Sequence, residues 1–151
     1  MVTLSVPLVA VFALRGVGEA TEVLLMRRTA PPAGTWAQVS GKIEAGETAW
    51  QAALRELVEE TGLVPDSLWA AHCQEMFYEP EADRLTVAPC FVARVAPAAE
   101  PRLNPENDAF RWLSFPEAVA AVSFAGQRRV LRAIAEEFAE HDPHPYQRCW
   151  P

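Results

Sequence analysis

The sequence predicts a layered α/β (α+β) domain. Strand-like segments occur in mixed order with helical regions, which is the pattern of a sheet packed against helices. The chain has 151 residues, of which half are hydrophobic and 22% are charged. This length and composition are typical of one globular domain that builds its core without disulfides. We therefore expect residues 1–151 to form a single domain.

Three strands are predicted in the first third of the chain: Leu4–Leu14, Glu22–Arg28 and Trp36–Val39. The first two flank the turn-like segment Arg15–Glu19, so we expect them to form a hairpin. The third leads into Ser40 and Gly41, and a loop is expected from Lys42 to Glu47.

The best-defined helix runs from Thr48 to Thr61. Thr48 and Gln51 have the spacing of a capping box, and Gly62 stands where a left-handed residue commonly ends a helix. The apolar residues fall on one side of the helix: Trp50, Ala53, Leu54, Leu57 and Val58. The charged residues fall on the other: Arg55, Glu56, Glu59 and Glu60.

The second half of the chain adds three strands, Cys73–Tyr78, Leu85–Val95 and Ala109–Leu113. A helix is expected from Phe115 to Val122 and a stronger one from Gln127 to Glu140. The tail from about His141 contains three prolines, and we expect it to be irregular.

Charge and cysteine content limit the partners and the compartment. A formal net charge of −7 argues against a nonspecific nucleic-acid or anionic-membrane binder, although a bound cation would still admit a phosphorylated substrate. The three cysteines have no metal-ligand spacing, which favours free thiols in a reducing cytosol. The apolar run Val6–Leu14 is too short to span a bilayer. We expect a cytoplasmic protein without a stable nucleic-acid partner; the oligomeric state stays open, a homodimer included.

Glu56, Glu59 and Glu60 are spaced i, i+3 and i+4, so they share one face of the helix. A solvated polar face would give the same pattern. Two features favour a site instead: no lysine lies three or four residues away, and Glu59 and Glu60 occupy the last turn, where the helix dipole disfavours negative charge. Clustered carboxylates are the ligands that Mg²⁺ or Mn²⁺ prefers.

The segment Gly41–Leu63, GKIEAGETAWQAALRELVEETGL, resembles the Nudix box, G-x5-E-x7-R-E-U-x-E-E-x-G-U, in which U is aliphatic. Every defined position agrees: Gly41, Glu47, Arg55, Glu56, Leu57, Glu59, Glu60, Gly62 and Leu63. The resemblance implies a Nudix-type α/β/α sandwich with a central mixed sheet. It also implies a pyrophosphohydrolase that uses Mg²⁺ or Mn²⁺ to cleave a diphosphate linkage.

The resemblance also implies roles for the matched residues. Glu56, Glu59 and Glu60 would bind the metal, with the carbonyl of Ser40 as a further ligand. Arg55 and Glu47 would orient the catalytic glutamates by hydrogen bonds. The general base would be Glu56 or a loop acid, for which Glu106 is the candidate and Asp108 a close neighbour.

Three further residues are candidate substrate contacts. Arg28 closes a strand that borders the cleft in Nudix proteins, and alternation allows only one of Arg27 and Arg28 to face the site. Trp36 could stack on a base or belong to the core. Lys42 could bind a phosphate or lie free on the surface.

The box does not select the substrate. The segments WAQVSGKIEAGE, FRWLSFPEA and GQRRVLRAIAEEF are similar to the bacterial dATP and dihydroneopterin triphosphate pyrophosphohydrolases, which implies a nucleoside triphosphate or a related nucleoside diphosphate derivative. Nucleotide sugars, ADP-ribose and dinucleoside polyphosphates are alternatives of the same chemistry. A noncatalytic ligand sensor is an alternative of another class, against which the intact box argues.

Overall fold

Nine strands form one mixed sheet in the computed structural model, which describes residues 1–151. The strands are β1 (Thr3–Ser5), β2 (Leu8–Arg15), β3 (Glu22–Arg28), β4 (Trp36–Ala37), β5 (Val39–Lys42), β6 (Ser67–Glu79), β7 (Arg84–Arg94), β8 (Asn107–Leu113) and β9 (Arg148–Trp150). The central order is β4-β3-β2-β7-β6-β9. β7 pairs in parallel with both β1 and β2, and the other pairs are antiparallel.

The helices cover both faces of this sheet. They are α1 (Ala49–Thr61), α2 (Phe115–Ala121) and α3 (Ala125–Ala135). Alternate residues of β2 show the two layers: Val9 and Val11 pack with Leu57 of α1, whereas Phe12 and Leu14 pack with residues of α2 and α3. Burial on both faces explains why β2 is an almost continuous apolar run. The predicted α/β/α sandwich with a central mixed sheet is confirmed.

Two strands share one edge of β2 and then separate. β5 pairs with the first half of β2, between Leu8 and Val11. β3 pairs with β2 only at Leu14 and Arg15, which confirms the predicted hairpin, and then continues beside β4 and β8. The sheet therefore divides between Val11 and Leu14 of β2, close to the start of β5.

Several predicted boundaries were wrong. The first strand is interrupted at Val6 and Pro7, where proline lacks the N–H that a sheet requires, and its first part pairs with β7 as β1. β6 begins at Ser67 rather than Cys73, because Leu68 already packs in the core. The last helix ends in a π-helical turn, Glu136–Glu140.

The tail is not wholly irregular. It contains a 3-10 turn at Pro145–Gln147, followed by β9, which pairs with β6 at Leu68 and Trp69. The Gln147 amide also donates to the carbonyl of Ala70, 3.0 Å away. The density of prolines therefore misled the prediction, because sheet pairing at the open edge of β6 orders this segment.

The buried face of α1 differs from the helical-wheel prediction at two positions. Val58 is 45% exposed, whereas Glu60, which was assigned to the polar side, is 4% exposed. The loop before β8 covers the end of α1, where Glu60 lies. Arg102 N–H donates to the carbonyl of Thr61 at 2.7 Å. None of the helices is both long and apolar enough to cross a membrane.

Candidate active site on helix α1

The two ends of α1 have the predicted caps. The Thr48 hydroxyl accepts a hydrogen bond from Gln51 N–H at 3.3 Å, and the Gln51 side chain accepts from Thr48 N–H at 2.8 Å. Gly62 has a φ of 68°, and its N–H donates to the carbonyl of Val58. These local bonds fix the start and the end of the helix that carries the three glutamates.

Gly41 gives the Glu56 side chain the space it occupies. A Cβ built on residue 41 would lie 2.0 Å from Cδ of Glu56 and 2.3 and 2.4 Å from its two carboxylate oxygens. No residue other than glycine fits at this distance without moving the carboxylate. The glycine of the box therefore allows the Glu56 carboxylate to lie against β5.

Arg55 holds the acidic residues of the box together. Its guanidinium donates to both carboxylate oxygens of Glu47, at 2.6 and 3.1 Å, and to Glu56 Oε1 at 2.8 Å. It also contacts Glu59 Oε2 at 3.3 Å and the carbonyl of Lys42 at 2.8 Å. The hydrogen bond to Arg55 holds the pKa of Glu47 below its ordinary value. The repulsion that the sequence left uncompensated is thus partly relieved by Arg55 itself.

Glu60 is the most buried acid of the site. Asn107 Nδ2 lies 3.3 Å from its Oε1, whereas Oε2 is buried without any hydrogen-bond partner. Burial, followed by the charges of Glu106 and Glu56, raises the pKa of Glu60 to about 8, although Asn107 and the backbone of Ser40 oppose this shift. A buried carboxylate oxygen without a donor is costly unless a ligand completes it.

The surroundings of Glu56 also disfavour the negative charge of its carboxylate. Burial raises the pKa of Glu56, and the neighbouring charges of Glu59 and Glu106 act in the same direction, while Arg55 opposes them. Glu59 is more accessible, with a side chain 55% exposed. The three glutamates therefore have three different environments on one helix face.

Glu106 reaches this site from the loop before β8. Its carbonyl accepts from Thr29 N–H at 3.0 Å, and Asn104 N–H lies 3.4 Å from the carbonyl of Glu60. The loop is thereby attached both to the end of β3 and to the end of α1. Its carboxylate is exposed and close enough to raise the pKa of both Glu56 and Glu60.

A sequence model of the NUDIX domain matches residues 6–134. The chain belongs to the Nudix family. The match covers most of the chain and includes the box, β2 to β8, α1, α2 and all but the last residue of α3.

The chain is similar to known proteins of this family in sequence and in structure. It is 31% identical over 122 residues to the dihydroneopterin triphosphate diphosphatase of Escherichia coli, with 72% of this chain and 79% of that protein covered. It is 39% identical over 127 residues to an octanoyltransferase of Myxococcus xanthus, covering 82% of this chain. It spans only 35% of that protein's length.

The solved structure of a Caenorhabditis elegans Ap4A hydrolase binary complex superposes with a TM-score of 0.76 at 22% identity, covering 91% of this chain and all of that one. This likeness shows the fold. Together with the domain match, the similarity to the dihydroneopterin triphosphate diphosphatase supports the assignment of this Nudix protein as a pyrophosphohydrolase enzyme.

The carboxylates of this Nudix site suit a hard divalent cation. Glu60 Oε2 lacks a partner, and the neighbouring charges of Glu56 and Glu106 disfavour ionisation in the absence of a countercharge. No three potential ligand side chains yet converge on one point. Arg55 donates hydrogen bonds to both Glu56 and Glu59, two of the three candidate ligands.

The predicted substrate residues lie in different surroundings. Arg27 forms an exposed ion pair with Asp108 at 2.7 Å. Arg28 donates to the carbonyl of Pro31, and its Nε is buried without a partner. Lys42 is exposed, and its backbone carbonyl rather than its side chain contacts Arg55.

Trp36 is half-buried against the core under α2 and α3. The guanidinium of Arg111 lies 5.5 Å from the centre of its ring, and the Trp36 carbonyl accepts from Gln127 Nε2 at 3.2 Å. These contacts give Trp36 a packing role, and only its accessible part is free to meet a ligand.

Three polar residues that form long-range contacts were not predicted from the sequence: Gln38, Glu75 and Asn107. Asn107 contacts Glu60, and Gln38 Nε2 donates to Glu75 Oε2 at 2.8 Å. The only available sign was the position of Gln38 between the apolar residues of a short strand. No spacing rule connects these residues, since they meet through the sheet.

Proposed function

We propose that this Nudix hydrolase uses Mg²⁺ or Mn²⁺ to hydrolyse a diphosphate linkage in a nucleoside triphosphate, which releases pyrophosphate, or in a related nucleoside diphosphate derivative, which releases a monophosphate product. The observation that carries the proposal is the buried, unpartnered Oε2 of Glu60 beside Glu56 and Glu106. Such an arrangement is unfavourable by itself and becomes favourable when a cation and phosphate oxygens complete it.

Glu56, Glu59 and Glu60, with the carbonyl of Ser40, would hold the cation. When bound, the cation would neutralise the charge that develops on the phosphate oxygens. Arg55 supports the ligands through its bonds to Glu56 and Glu59, and Glu47 holds Arg55 through both carboxylate oxygens. These two residues position the ligands and need not touch the substrate.

In the proposed reaction a water oxygen forms a bond to the phosphorus next to the nucleoside, and the bond from that phosphorus to the bridging oxygen breaks. Pyrophosphate leaves with the bridging oxygen. We assign Glu56 as the base that takes the water's proton, because the helix and Arg55 hold its carboxylate rigidly.

Glu106 is the alternative base. It lies on a loop beside Glu56 and Glu60, and a carboxylate that does not bind a metal directly is the stronger base. The variant of the true base should lose kcat while it still binds metal and substrate. If Glu106→Gln behaves in this way and Glu56→Gln mainly loses metal affinity, Glu106 is the base.

Arg28 is the favoured phosphate contact, because its Nε has no partner in the protein and guanidinium groups bind phosphate oxygens well. Lys42 is exposed at the box loop and could bind a phosphate through its flexible ammonium. The accessible part of Trp36 could contact a ring. These three assignments are tested by their effect on KM.

Other diphosphates remain the second candidates. The similarity to an Ap4A hydrolase structure concerns the fold alone. Dinucleoside polyphosphates are therefore tested as substrates together with ADP-ribose and nucleotide sugars. A noncatalytic sensor is disfavoured because every defined residue of the box is present. We also propose a cytoplasmic location, which suits three free cysteines, and no stable nucleic-acid partner for a chain of net charge −7.

A panel of substrates tests the function. Nucleoside triphosphates, dihydroneopterin triphosphate, Ap4A, ADP-ribose and nucleotide sugars are each incubated with the protein in Mg²⁺, Mn²⁺ or EDTA, and orthophosphate is measured with and without added pyrophosphatase. We expect turnover of a triphosphate that requires metal and yields orthophosphate only after pyrophosphatase is added. Full turnover in EDTA, or orthophosphate without pyrophosphatase, would contradict the proposal.

A further inference from the structure

A polar pair, formed by the buried Gln38 and the half-buried Glu75, lies on the sheet face opposite to α1. Gln38 is 6% exposed, and its Nε2 donates to Oε2 of Glu75 on the distant strand β6 at 2.8 Å. The neighbouring Val39 packs on the α1 side, so alternation directs Gln38 to the other side. Glu75 pairs across the strands with Ala88, which is buried.

The fold does not require a carboxylate at this position. Burial raises the pKa of Glu75, while the hydrogen bond from Gln38 and the charge of Arg28 oppose this shift. An apolar residue of similar size would avoid the desolvation of the carboxylate. A half-buried acid that accepts a hydrogen bond from an amide and feels the charge of an arginine is more typical of a binding site than of a core.

One oxygen of Glu75 is left for a ligand. Oε2 accepts from Gln38, whereas Oε1 accepts no hydrogen bond from the protein and is not sealed from solvent. Nε of Arg28 is likewise without a partner. The pair therefore offers two acceptor oxygens, one from the Glu75 carboxylate and one from the Gln38 amide. The guanidinium of Arg28, whose Nε has no acceptor, is nearby.

The pair is connected to the catalytic cluster by two short routes. Gln38 precedes Ser40, whose backbone contacts Glu60, by two residues of extended chain, or roughly 7 Å. Arg28 pairs with Asn107 across the strands, and Asn107 contacts Glu60. A substrate whose phosphates lie at Glu60 would therefore have its next groups within reach of Gln38 and Glu75.

We propose that Gln38 and Glu75 bind the hydrogen-bond donor edge of the substrate's ring, formed by a ring N–H next to an exocyclic amino group, as in guanine or a pterin. This inference rests on the proposed hydrolase function and names its substrate class. Two adjacent N–H donors match two acceptor oxygens. Adenine would place an unprotonated ring nitrogen against the Glu75 carboxylate. Neither this nitrogen nor the carboxylate oxygen that faces it would then receive a hydrogen bond.

Glu75→Gln is the matched variant, because it keeps the shape and replaces an acceptor oxygen by a donor. Glu79→Gln is its control: Glu79 lies on the same strand and pairs with Arg84 at 2.8 Å. The parent and both variants are assayed for kcat and KM on dGTP and dATP, and GMP and AMP binding is titrated independently of turnover. Melting temperatures check that each variant folds.

We expect the parent to prefer dGTP. Glu75→Gln should lower the ratio of kcat/KM for dGTP over dATP by at least about tenfold, mainly through KM, since sites that bind polar edges discriminate strongly when the match is lost. GMP binding should weaken in parallel. Glu79→Gln should keep the parent's ratio.

The outcomes separate this inference from the hydrolase function. Suppose that the protein hydrolyses triphosphates but Glu75→Gln leaves the ratio of kcat/KM for dGTP over dATP unchanged. This result contradicts the inference alone. The same holds if Glu75→Gln lowers kcat/KM equally for both substrates. A parent preference for dATP also overturns it. GMP binding that depends on Glu75 in a protein without any triphosphate turnover supports the ring site and contradicts the hydrolase function.

Discussion

The carboxylate of Glu56 occupies the place where a side chain on residue 41 would begin: a Cβ on Gly41 would lie 2.0 Å from Cδ of Glu56. Gly41→Ala should therefore displace this carboxylate and lower kcat on the order of 100-fold, the scale of a 1 Å misplacement in an active site. Activity at saturating Mg²⁺ measures the effect.

Gly126→Ala is the control for that substitution. A Cβ on Gly126 would meet no atom closer than 3.8 Å, and alanine favours a helix over glycine by about 0.5–1 kcal/mol. This variant should keep the parent's kcat. If Gly41→Ala is as active as Gly126→Ala, the close approach of Gly41 to Glu56 does not matter for catalysis.

Glu47 binds the Arg55 guanidinium with both carboxylate oxygens and also accepts a hydrogen bond from Glu44 N–H at 2.7 Å. Glu47→Gln should lower Mg²⁺ affinity or kcat by about 10- to 100-fold, as expected for a residue that orients metal ligands. Glu44→Gln is the matched control, since Glu44 lies 3.7 Å from Arg55 and its side chain is 67% exposed. Equal effects of the two variants in titration and turnover would contradict a specific role for Glu47.

Much of α1 could be predicted because its determinants are local. The caps at Thr48 and Gly62 act within one turn, and the box spacing lies within one segment. The burial of Glu60 could not be predicted, because its side chain is contacted by Asn107 at the start of β8, 47 residues away. Gln38 and Glu75 meet across 37 residues through the order of the strands, which no periodicity in the sequence encodes.

The corrected face of α1 makes a stability prediction. Leu57 is fully buried, so Leu57→Ala should lower the free energy of unfolding by about 2–5 kcal/mol through the cavity it leaves. Val58, which the helical wheel placed on the same face, is 45% exposed. Val58→Ala should therefore change the free energy of unfolding by less than about 1 kcal/mol. Urea denaturation measures both. If Val58→Ala lowers the free energy of unfolding more than Leu57→Ala does, Val58 belongs to the buried face, as the helical wheel predicted.

The raised pKa of Glu60, about 8 in the folded metal-free protein against 4.5 as its ordinary value, links stability to pH. Between these values the folded state binds the proton that the unfolded state has released, so stability falls as pH rises through this window. Glu60→Gln removes this contribution. In EDTA, the melting temperature of the parent minus that of Glu60→Gln should fall from pH 5 to pH 8. A difference that stays constant would show that Glu60 ionises normally.

The central claim is that the carboxylates of α1 carry out metal-dependent hydrolysis. The most direct test is the kcat of Glu56→Gln for the best triphosphate at saturating Mg²⁺, with Asp66→Asn as an exposed acidic control outside the site. We predict a loss of at least about 100-fold for Glu56→Gln at an unchanged melting temperature, because a group that accepts a proton or stabilises charge is removed. Asp66→Asn should match the parent. A Glu56→Gln rate within about twofold of the parent would contradict the account and place the chemistry elsewhere.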